Sequence, residues 1–376
     1  MKVLIVYAKA GAGHLRAAEA VYSAFKRNGQ EADATLIDCL DYTSPWFKNF
    51  YPQVYIILVR YFSFIWKLIY YTLDKRLVYA LVRPFRRLTN SLSSGRFEQF
   101  LKKENPKVII STQFFASEVI ANLKKRGEIN STIISVVTDF GAHTFWESED
   151  IDIFIAASED TKQDLLTRRI PEEKIKVLGI PIELPLQRPN RVKAKEAVGL
   201  KRDLFTVLIA GGGFGVGPIK EVVFSLDKLE DRIKANVQVV VVCSRNKKLY
   251  KEIENIAAKL KLNIKILGFV PDLYKMMVAS NVIISKSGGL TTSESLAAGL
   301  PMLIIAPIPG QESKNCDLLV TRGAAIRIDR AQDVKQEIED LFNMPDKLTQ
   351  MHKQALLLSR PYAADDLVEL ANNYLV

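Results

Sequence analysis

Short runs of β-branched and aliphatic residues alternate with amphipathic helical patterns from one end of this chain to the other. Strands that are separated by helices pair in parallel, because the chain must cross the sheet before it can add the next strand. The sequence therefore predicts an α/β fold of two Rossmann-like halves. The predicted strands lie at 2–8, 34–38, 107–112, 132–139, 151–157 and 176–178, and at 205–210, 237–243, 264–268, 282–286, 302–306 and 324–328.

A proline-rich break separates the two series of strands. Residues 179–189 contain Pro181, Pro185 and Pro189, and clusters of proline mark loops and linkers. A chain of 376 residues also favours two domains over one. We predict an N-terminal domain at 1–185 and a C-terminal domain at 186–376, whose last helix is a candidate to pack back on the first domain.

Composition excludes several classes of protein. The chain has only three cysteines, without CxxC spacing, so neither a disulfide framework nor a zinc site is expected, and a reducing cytosol is the expected compartment. The uncharged stretch 204–219 contains five glycines and is too short for a membrane span. The net charge of +10 predicts an anionic partner.

One segment departs from the alternation of strands and helices. Residues 46–87 hold 13 of the chain's 34 aromatic residues and eight Lys or Arg residues against a single acid, Asp74. Such a segment is typical of helices that lie in the interface of an anionic membrane. The alternative is that its aromatic residues pack on the N-terminal sheet and its charges form a solvated face. The predicted membrane contacts are Trp66, Arg76, Arg83, Arg86 and Arg87.

The first strand ends in a glycine turn with a histidine, AGAGH at 10–14. Such a turn lets a ligand approach backbone amides at a helix N-terminus, and Gly11 and Gly13 are candidates to line the path of an acceptor. The absence of a third glycine argues against a dinucleotide site. In the first turn of a helix, the dipole keeps the ring of His14 neutral, as a general base requires. The alternative is a capping or packing histidine.

A second polar cluster, TDFGAHTFW, follows the strand at 132–139. Ligands bind at the carboxyl ends of strands in open α/β sheets. Asp139 and His143 are therefore candidates to orient one another or an acceptor hydroxyl, and Trp146 is a candidate to stack on a sugar or lie against lipid. The alternative is a helix-capping Asp and a core Trp. The DxD tripeptide at 150–152 leads into a strand, and no metal role is assigned to it.

Three motifs of the second half fit a nucleotide-sugar. The glycine loop at 211–217 exposes backbone amides to a diphosphate, unless it is only a flexible turn. Glu294 is placed to accept both ribose hydroxyls, although Thr291 and Glu294 also match a capping box. The polar start of the helix after 309 supplies groups for sugar hydroxyls: Gln311, Glu312 and Asn315.

Together these motifs resemble a known family. The combination of GxGH, TDFxxHxxW, GFVPDLYKMMVASNVIISKSGGLTTSESLAAGLP and PIPGQESKN resembles the family-28 glycosyltransferases, and within them the group of diacylglycerol glucosyltransferases and monogalactosyldiacylglycerol synthases. The resemblance covers nearly the whole chain, including GIPI at 179–182. It extends, more distantly, to the N-acetylglucosaminyltransferase that forms lipid II.

The resemblance implies a GT-B fold, with two Rossmann-like domains facing a central cleft. It further implies UDP-glucose or UDP-galactose in the C-terminal domain, and diacylglycerol or a related lipid in the N-terminal domain. The resemblance also implies that the sugar is transferred with inversion and without metal or cofactor, and the expected place is the cytoplasmic face of the cell membrane. The implied UDP-sugar residues are Gly213, Phe214, Gly215, Arg245, Phe269, Val270, Ser287, Gly288, Gly289, Thr291, Glu294, Gln311, Glu312 and Asn315.

Other functions stay open at this point. The transferase reaction with a polyprenyl-linked acceptor and UDP-N-acetylglucosamine is one, and UDP-sugar epimerisation is another, although an epimerase needs no lipid surface. A membrane-associated sensor would bind the UDP-sugar without turnover. Nucleic-acid binding is disfavoured, because the basic residues are interleaved with long apolar side chains. The base is predicted to be His14, with Asp139 and His143 as the alternative.

Overall fold

A computed structural model describes residues 2–9, 11–30, 33–148, 150–185, 190–212, 215 and 217–375. Within them all twelve predicted strands are present, in two six-stranded parallel sheets. The α/β prediction is therefore confirmed. The strands are β1 (Val3–Tyr7), β2 (Ala34–Asp38), β3 (Val108–Ser111), β4 (Thr132–Val136), β5 (Ile153–Ala156), β6 (Ile175–Val177), β7 (Phe205–Ala210), β8 (Val237–Val242), β9 (Asn263–Leu267), β10 (Val282–Ser285), β11 (Met302–Ile305) and β12 (Ala325–Ile328).

Helices cover both sheets. They are α1 (Ala12–Arg27), α2 (Pro45–Tyr61), α3 (Ser63–Leu73), α4 (Arg76–Glu104), α5 (Phe114–Lys125), α6 (Glu159–Thr167), α7 (Arg191–Ala197), α8 (Ile219–Leu226), α9 (Asp231–Lys234), α10 (Lys247–Ala257), α11 (Leu273–Val278), α12 (Gly289–Ala297), α13 (Gln311–Thr321), α14 (Val334–Asn343), α15 (Pro345–Leu358) and α16 (Ala363–Asn372).

Strand order places the candidate sites. The first sheet runs β2-β1-β3-β4-β5-β6, and the second runs β12-β11-β10-β7-β8-β9. The order reverses between β1 and β3 in the first sheet, and between β7 and β10 in the second. Ligands of open α/β sheets bind outside the carboxyl ends of the strands at such a switch point. The glycine turn before His14 follows β1, and the glycine loop at 211–217 follows β7.

The chain forms two compact units. One contains Met1–Glu183, Ile308–Lys314 and Arg360–Val376, and the other contains Leu184–Pro307 and Asn315–Ser359. In the first unit α16 packs against α1, where Asp365 pairs with Arg27 at 2.8 Å and Asn372 bonds Gln30. The division differs from one cut near 185, because 308–314 and 360–376 lie with the N-terminal residues.

Buried strands hold each unit together. Every residue of β8, sequence VQVVVV, is buried, as expected for a parallel sheet covered on both faces. The first sheet has a core on each face, one built with α5 and the end of α4, the other with α1 and α16. The second sheet packs against α8, α10 and α14.

The aromatic and basic segment forms three successive helices, α2, α3 and α4. Helix α4 continues to Glu104, beyond residue 87 where the aromatic and basic segment ends, because Phe97 and Leu101 are buried in the core of the first sheet. In the described part of the chain, no single helix has the length and hydropathy for crossing a bilayer. By those two criteria alone, Pro45–Val59 and Ser63–Leu73 qualify as a pair, with a bend of 108° between them.

Candidate functional site

His14 lies at the switch point of the first sheet. It is the third residue of α1, and its Nδ1 is 2.7 Å from the carbonyl oxygen of Thr112, directly after β3, and 3.1 Å from Oγ1 of Thr138, after β4. A carbonyl oxygen can only accept a hydrogen bond, so Nδ1 carries the proton and donates it. In this neutral tautomer the lone pair of the ring is on Nε2.

The environment keeps His14 neutral. Burial lowers its pKa to about 4, although the hydrogen bond to Thr112 opposes the shift. The side chain is nevertheless partly exposed. At neutral pH the ring therefore offers an unprotonated nitrogen in a fixed orientation, which is what a general base requires. The role of base stays a prediction, and the geometry is compatible with it.

His143 is placed differently. Its Nε2 donates to the carbonyl oxygen of Tyr70 at 3.0 Å, and the backbone N–H of Phe145 donates to its Nδ1 at 3.2 Å. Both nitrogens are therefore engaged, and the ring has no lone pair for a substrate in this conformation. The carboxylate of Asp74 lies at ion-pair distance from His143, 3.6 Å from Nε2. Asp139 follows β4, is partly exposed, and is one of the charges that raise the pKa of the Tyr70 hydroxyl beyond the effect of burial.

The burial of His143 predicts how stability depends on pH. Burial lowers its pKa to about 4, so the unfolded chain binds a proton below about pH 6.5 that the folded chain rejects until about pH 4. The contribution of neutral His143 to stability is fully present above about pH 6.5. As the pH falls from 6.5 towards 4, the free energy of unfolding decreases by about 1.4 kcal/mol per pH unit in the middle of this range. His143→Gln should flatten the profile, because glutamine keeps a donor but does not titrate.

All three tryptophans lie in the first unit, so denaturant unfolding followed by tryptophan fluorescence reports on that unit. His14 also has a lowered pKa, of about 4, so it contributes its own decrease in stability between pH 6.5 and 4. This contribution is the same in wild type and in His143→Gln. Parallel stability profiles for wild type and His143→Gln between pH 4 and 6.5 would contradict the assignment.

Trp146 is part of the core. Only 4% of its surface is exposed, and its ring meets that of Phe114 edge-on with centroids 5.9 Å apart. This position corrects the prediction that Trp146 stacks on a sugar or lies against lipid, because no face of the ring is open to either. The apolar packing around Phe114 and Phe145 accounts for its burial.

Asp74, the single acid of the predicted membrane segment, is a hub that the sequence analysis did not single out as a site. Its Oδ1 accepts from Arg168 at 2.7 Å and from both the N–H and the hydroxyl of Thr144, and its Oδ2 is 3.1 Å from Nζ of Lys314. Burial opposes the charged carboxylate, but His143, Arg168 and Lys314 outweigh it and lower the pKa of Asp74 to about 2. The C-terminal end of α3 is therefore linked through Asp74 to three side chains that are distant in sequence: His143, Arg168 and Lys314.

The arginines of α4 divide into two groups. Arg86 pairs with the buried carboxylate of Glu118 at 2.9 Å and lies over the ring of Phe145, and Arg87 is 4.0 Å from the same carboxylate. Glu118, on α5, thus holds Arg86 inward in place of the predicted membrane contact, whereas Arg87 keeps 35% of its side chain exposed. Arg76 is exposed and Arg83 is partly exposed, so these two stay available to a surface.

The outer face of α2, α3 and α4 is apolar. Of the 21 large hydrophobic side chains that are exposed in the described residues, 14 lie between Trp46 and Leu92. Five of these follow one face of α4 at helical spacing, and we call them the α4 stripe: Leu77, Leu81, Phe85, Leu88 and Leu92. A continuous exposed patch of this kind is typical of an interaction with a membrane or a partner.

The second unit has its own switch point, between β7 and β10. Ser285, at the end of β10, donates to the carbonyl oxygen of Ala210, at the end of β7, at 2.7 Å. Gly215 has φ +58, and a Cβ there would meet the carbonyl oxygen of Cys243 at 2.6 Å, so only glycine fits this turn. Gly213 and Phe214 lie outside the described residues. Helix α12 follows β10, with Gly288 as its N-cap and Gly289 as its first residue.

The predicted donor residues that the structure describes belong to the second unit, with one exception. Ser287 is buried and its carbonyl oxygen accepts from Asn315 at 2.7 Å, while Thr291 and Glu294 follow on α12 with partly exposed side chains. The guanidinium of Arg245 lies 4.9 Å from the ring centre of Phe269, which is half exposed and precedes Val270. The exception is that Gln311 and Glu312 belong to the first unit, whereas Asn315 belongs to the second.

The carboxylates of the DxD tripeptide have structural partners. Asp152 accepts from Lys124 and from the backbone N–H of Ile133, and Asp150 is 3.9 Å from Lys125. Over the described ranges of the chain, no three His, Cys, Asp or Glu side chains come together as a metal-binding group.

Two family models match the chain. The model of monogalactosyldiacylglycerol (MGDG) synthase matches residues 14–182, and that of the glycosyltransferase family 28 C-terminal domain matches residues 206–367. A processive diacylglycerol beta-glucosyltransferase of Bacillus licheniformis is 30% identical over 93% of this chain and 89% of that protein. A probable chloroplastic MGDG synthase of Nicotiana tabacum is 30% identical over 98% of this chain and 69% of that protein.

Among solved structures, MurG of Acinetobacter baumannii superposes with a TM-score of 0.64 at 16% sequence identity, over 99% of this chain and all of that one. At such low identity the likeness shows the fold alone, the GT-B class with its two Rossmann-like domains. The family that the sequence motifs predict is confirmed by the two models and the two relatives. The chain belongs to glycosyltransferase family 28, in the group of the diacylglycerol glucosyltransferases and MGDG synthases.

Proposed function

We propose that this glycosyltransferase moves a hexose, glucose or galactose, from its UDP-sugar to the free hydroxyl of diacylglycerol or a closely related membrane lipid. The observation that carries the proposal is the placement of His14. A neutral imidazole with its lone pair on Nε2 lies at the switch point of the first sheet, in the same unit as an exposed apolar surface that suits a lipid. The relatives from Bacillus licheniformis and Nicotiana tabacum are both named for adding a sugar to diacylglycerol.

In the proposed step, Nε2 of His14 takes the proton of the acceptor hydroxyl. The acceptor oxygen forms a bond to the anomeric carbon while the bond from that carbon to the UDP oxygen breaks, and UDP leaves with the electron pair. A single displacement inverts the anomeric carbon. Thr112 and Thr138 hold the ring and its tautomer through Nδ1, so that the basic nitrogen does not have to reorient.

The second unit is proposed to hold the donor. UDP gains negative charge as it leaves, and backbone amides at a helix N-terminus stabilise such charge without any reorganisation. The start of α12 and the turn at Gly215 are the groups proposed for this role, and Glu294 is proposed for the ribose hydroxyls. We propose that transfer needs neither metal nor cofactor, since these amides supply the stabilisation.

The helices α2 to α4 are proposed to attach the protein peripherally to an anionic membrane, on its cytoplasmic face. The α4 stripe would enter the interface, and basic residues near it would meet anionic headgroups. Lys67, Lys75 and Arg76 are exposed there. Arg86 is left out of this role because it pairs with the buried carboxylate of Glu118.

Removal of the Glu294 carboxylate tests the donor site. Glu294→Ala should weaken the binding of UDP by about 1–3 kcal/mol, because charge-assisted hydrogen bonds to the ribose are lost. Calorimetry with UDP measures this, with Glu254→Ala, an exposed carboxylate of α10, as the matched control. Wild-type affinity should be unchanged in EDTA. Unchanged UDP affinity in Glu294→Ala, or loss of wild-type binding in EDTA, would contradict the proposal.

The polyprenyl-linked acceptor and the epimerase are less well supported. The match to the MGDG synthase model covers most of the first unit, where the acceptor is proposed to bind. An epimerase would need no exposed apolar surface, whereas 14 large hydrophobic side chains are exposed on α2 to α4.

A further inference from the structure

Helix α3 has two faces of opposite character. Phe64, Ile65, Leu68 and Tyr71 are all exposed, with Phe64 the most exposed at 76%. The other face is defined by Trp66, Tyr70 and Asp74, which follow at i, i+4 and i+8 and therefore align along one side of the helix and its C-terminal cap. We call these three residues the inner face of α3.

Each residue of the inner face contacts the segment 308–314. The indole N–H of Trp66 donates to the carbonyl oxygen of Pro309 at 3.1 Å, and Asp74 pairs with Lys314 at 3.1 Å. Between them, Gly310 has φ +98, and a Cβ on it would lie 2.7 Å from the ring of Tyr70. The backbone of the segment therefore packs directly against α3 at Gly310, where a larger residue would clash with the ring of Tyr70.

The segment 308–314 carries the first turn of α13, which includes Gln311 and Glu312. The carboxylate of Glu312 accepts a hydrogen bond from the backbone N–H of Ile308 at 2.7 Å. This bond connects the loop that begins at Ile308 to the first turn of α13. The residue after Lys314 is Asn315, which bonds the carbonyl oxygen of Ser287 within the second unit. A displacement of 308–314 would therefore move the two side chains that are proposed to hold the sugar hydroxyls.

We propose that Trp66 and Asp74 are positioning residues for the sugar part of the donor, acting through the segment 308–314. They touch neither the sugar nor the reacting atoms. Their effect is to hold Gln311 and Glu312 in the orientation that favours the UDP-sugar over UDP. This inference rests on the proposed function, because those side chains are sugar contacts only if the donor is a UDP-sugar.

The test compares two affinities in the full chain. UDP, UDP-glucose and UDP-galactose are titrated by calorimetry into wild type, Trp66→Phe and Asp74→Asn. Each variant removes one contact or one charge, and we expect the preference for the better UDP-sugar over UDP to fall about 2- to 10-fold, as for a single lost hydrogen bond. The affinity for UDP itself should stay unchanged, and the KM for the UDP-sugar should rise more than kcat falls.

Three further variants control for general damage. Asp41→Asn removes an exposed carboxylate that pairs with Lys48 in the same unit, and it should leave the preference unchanged. Lys314→Arg should keep the preference, whereas Lys314→Met should reproduce Asp74→Asn. If Asp74→Asn does not fold, Trp66→Phe and Lys314→Met decide the question.

The proposal is overturned if Trp66→Phe and Lys314→Met keep the wild-type preference, or if UDP and UDP-sugar affinities fall together by the same factor. The binding of the UDP-sugars to wild type distinguishes a failure of this inference from a failure of the proposed function. If wild type binds neither UDP-sugar, it is the proposed function that fails.

Discussion

Replacing His14 with alanine should lower kcat by about 10²-fold or more, the range that a general base contributes. The residual rate would come from donor and acceptor positioning alone. UDP affinity should not change, because His14 lies in the first unit and the proposed UDP contacts lie in the second. Steady-state turnover and calorimetry on the same protein preparations separate these two effects.

The pH profile and a matched variant make this prediction specific. With a pKa of about 4, His14 stays unprotonated well below pH 6.5. The kcat/KM of wild type should therefore not decrease as the pH is lowered through 6.5, where an ordinary histidine would become protonated. Asp139→Asn is the comparison, because Asp139 is the alternative base. Near-normal turnover of His14→Ala together with an inactive Asp139→Asn would show that the base has been misassigned.

Triple replacement of the α4 stripe residues Leu77, Leu81 and Phe85 by serine should reduce binding to anionic vesicles about 10²-fold or more. These side chains are 85%, 82% and 69% exposed, so the change removes little packing from the folded protein. Partial insertion of each into a membrane contributes about 1 kcal/mol or more, since a fully buried side chain of this size contributes about 1.5–3 kcal/mol. Co-sedimentation with vesicles measures the loss.

Leu357→Ser is the matched control for the stripe. Leu357 is also highly exposed, at 71%, but lies on α15 in the second unit, so vesicle binding should be retained. UDP affinity should be equal in all three proteins. Equal vesicle binding by wild type and the triple variant would show that the stripe does not face the membrane.

The sheets were the most predictable part of the fold, for a physical reason. Strands such as β7 and β8 are local runs of β-branched residues, and burial of both faces of a parallel sheet leaves that pattern uninterrupted. The extent of α4 was less predictable. Its C-terminal third looks polar because only one side, with Phe97 and Leu101, packs in the core.

The candidate site was predictable where one local motif carries it. His14 stands out because a histidine after a glycine turn is a local signal. Its partners Thr112 and Thr138 lie 98 and 124 residues away, and no pattern of neighbouring residues indicates that contact. The hub at Asp74 had one signal, a lone acid in a basic segment, but its partner Lys314 is 240 residues distant. Such pairings depend on the topology of the sheet.

One measurement tests the central claim most directly. The full chain is incubated with vesicles that contain diacylglycerol and an anionic phospholipid, with UDP-glucose and UDP-galactose in separate reactions, and the lipids are identified by mass spectrometry. We predict a hexosyl-diacylglycerol with at least one of the donors, with one UDP released per hexose transferred, and none with His14→Ala under conditions where wild type converts a few per cent of the lipid. No glycolipid from either donor, or conversion of the UDP-sugar to free hexose or an epimer in its place, would contradict the account.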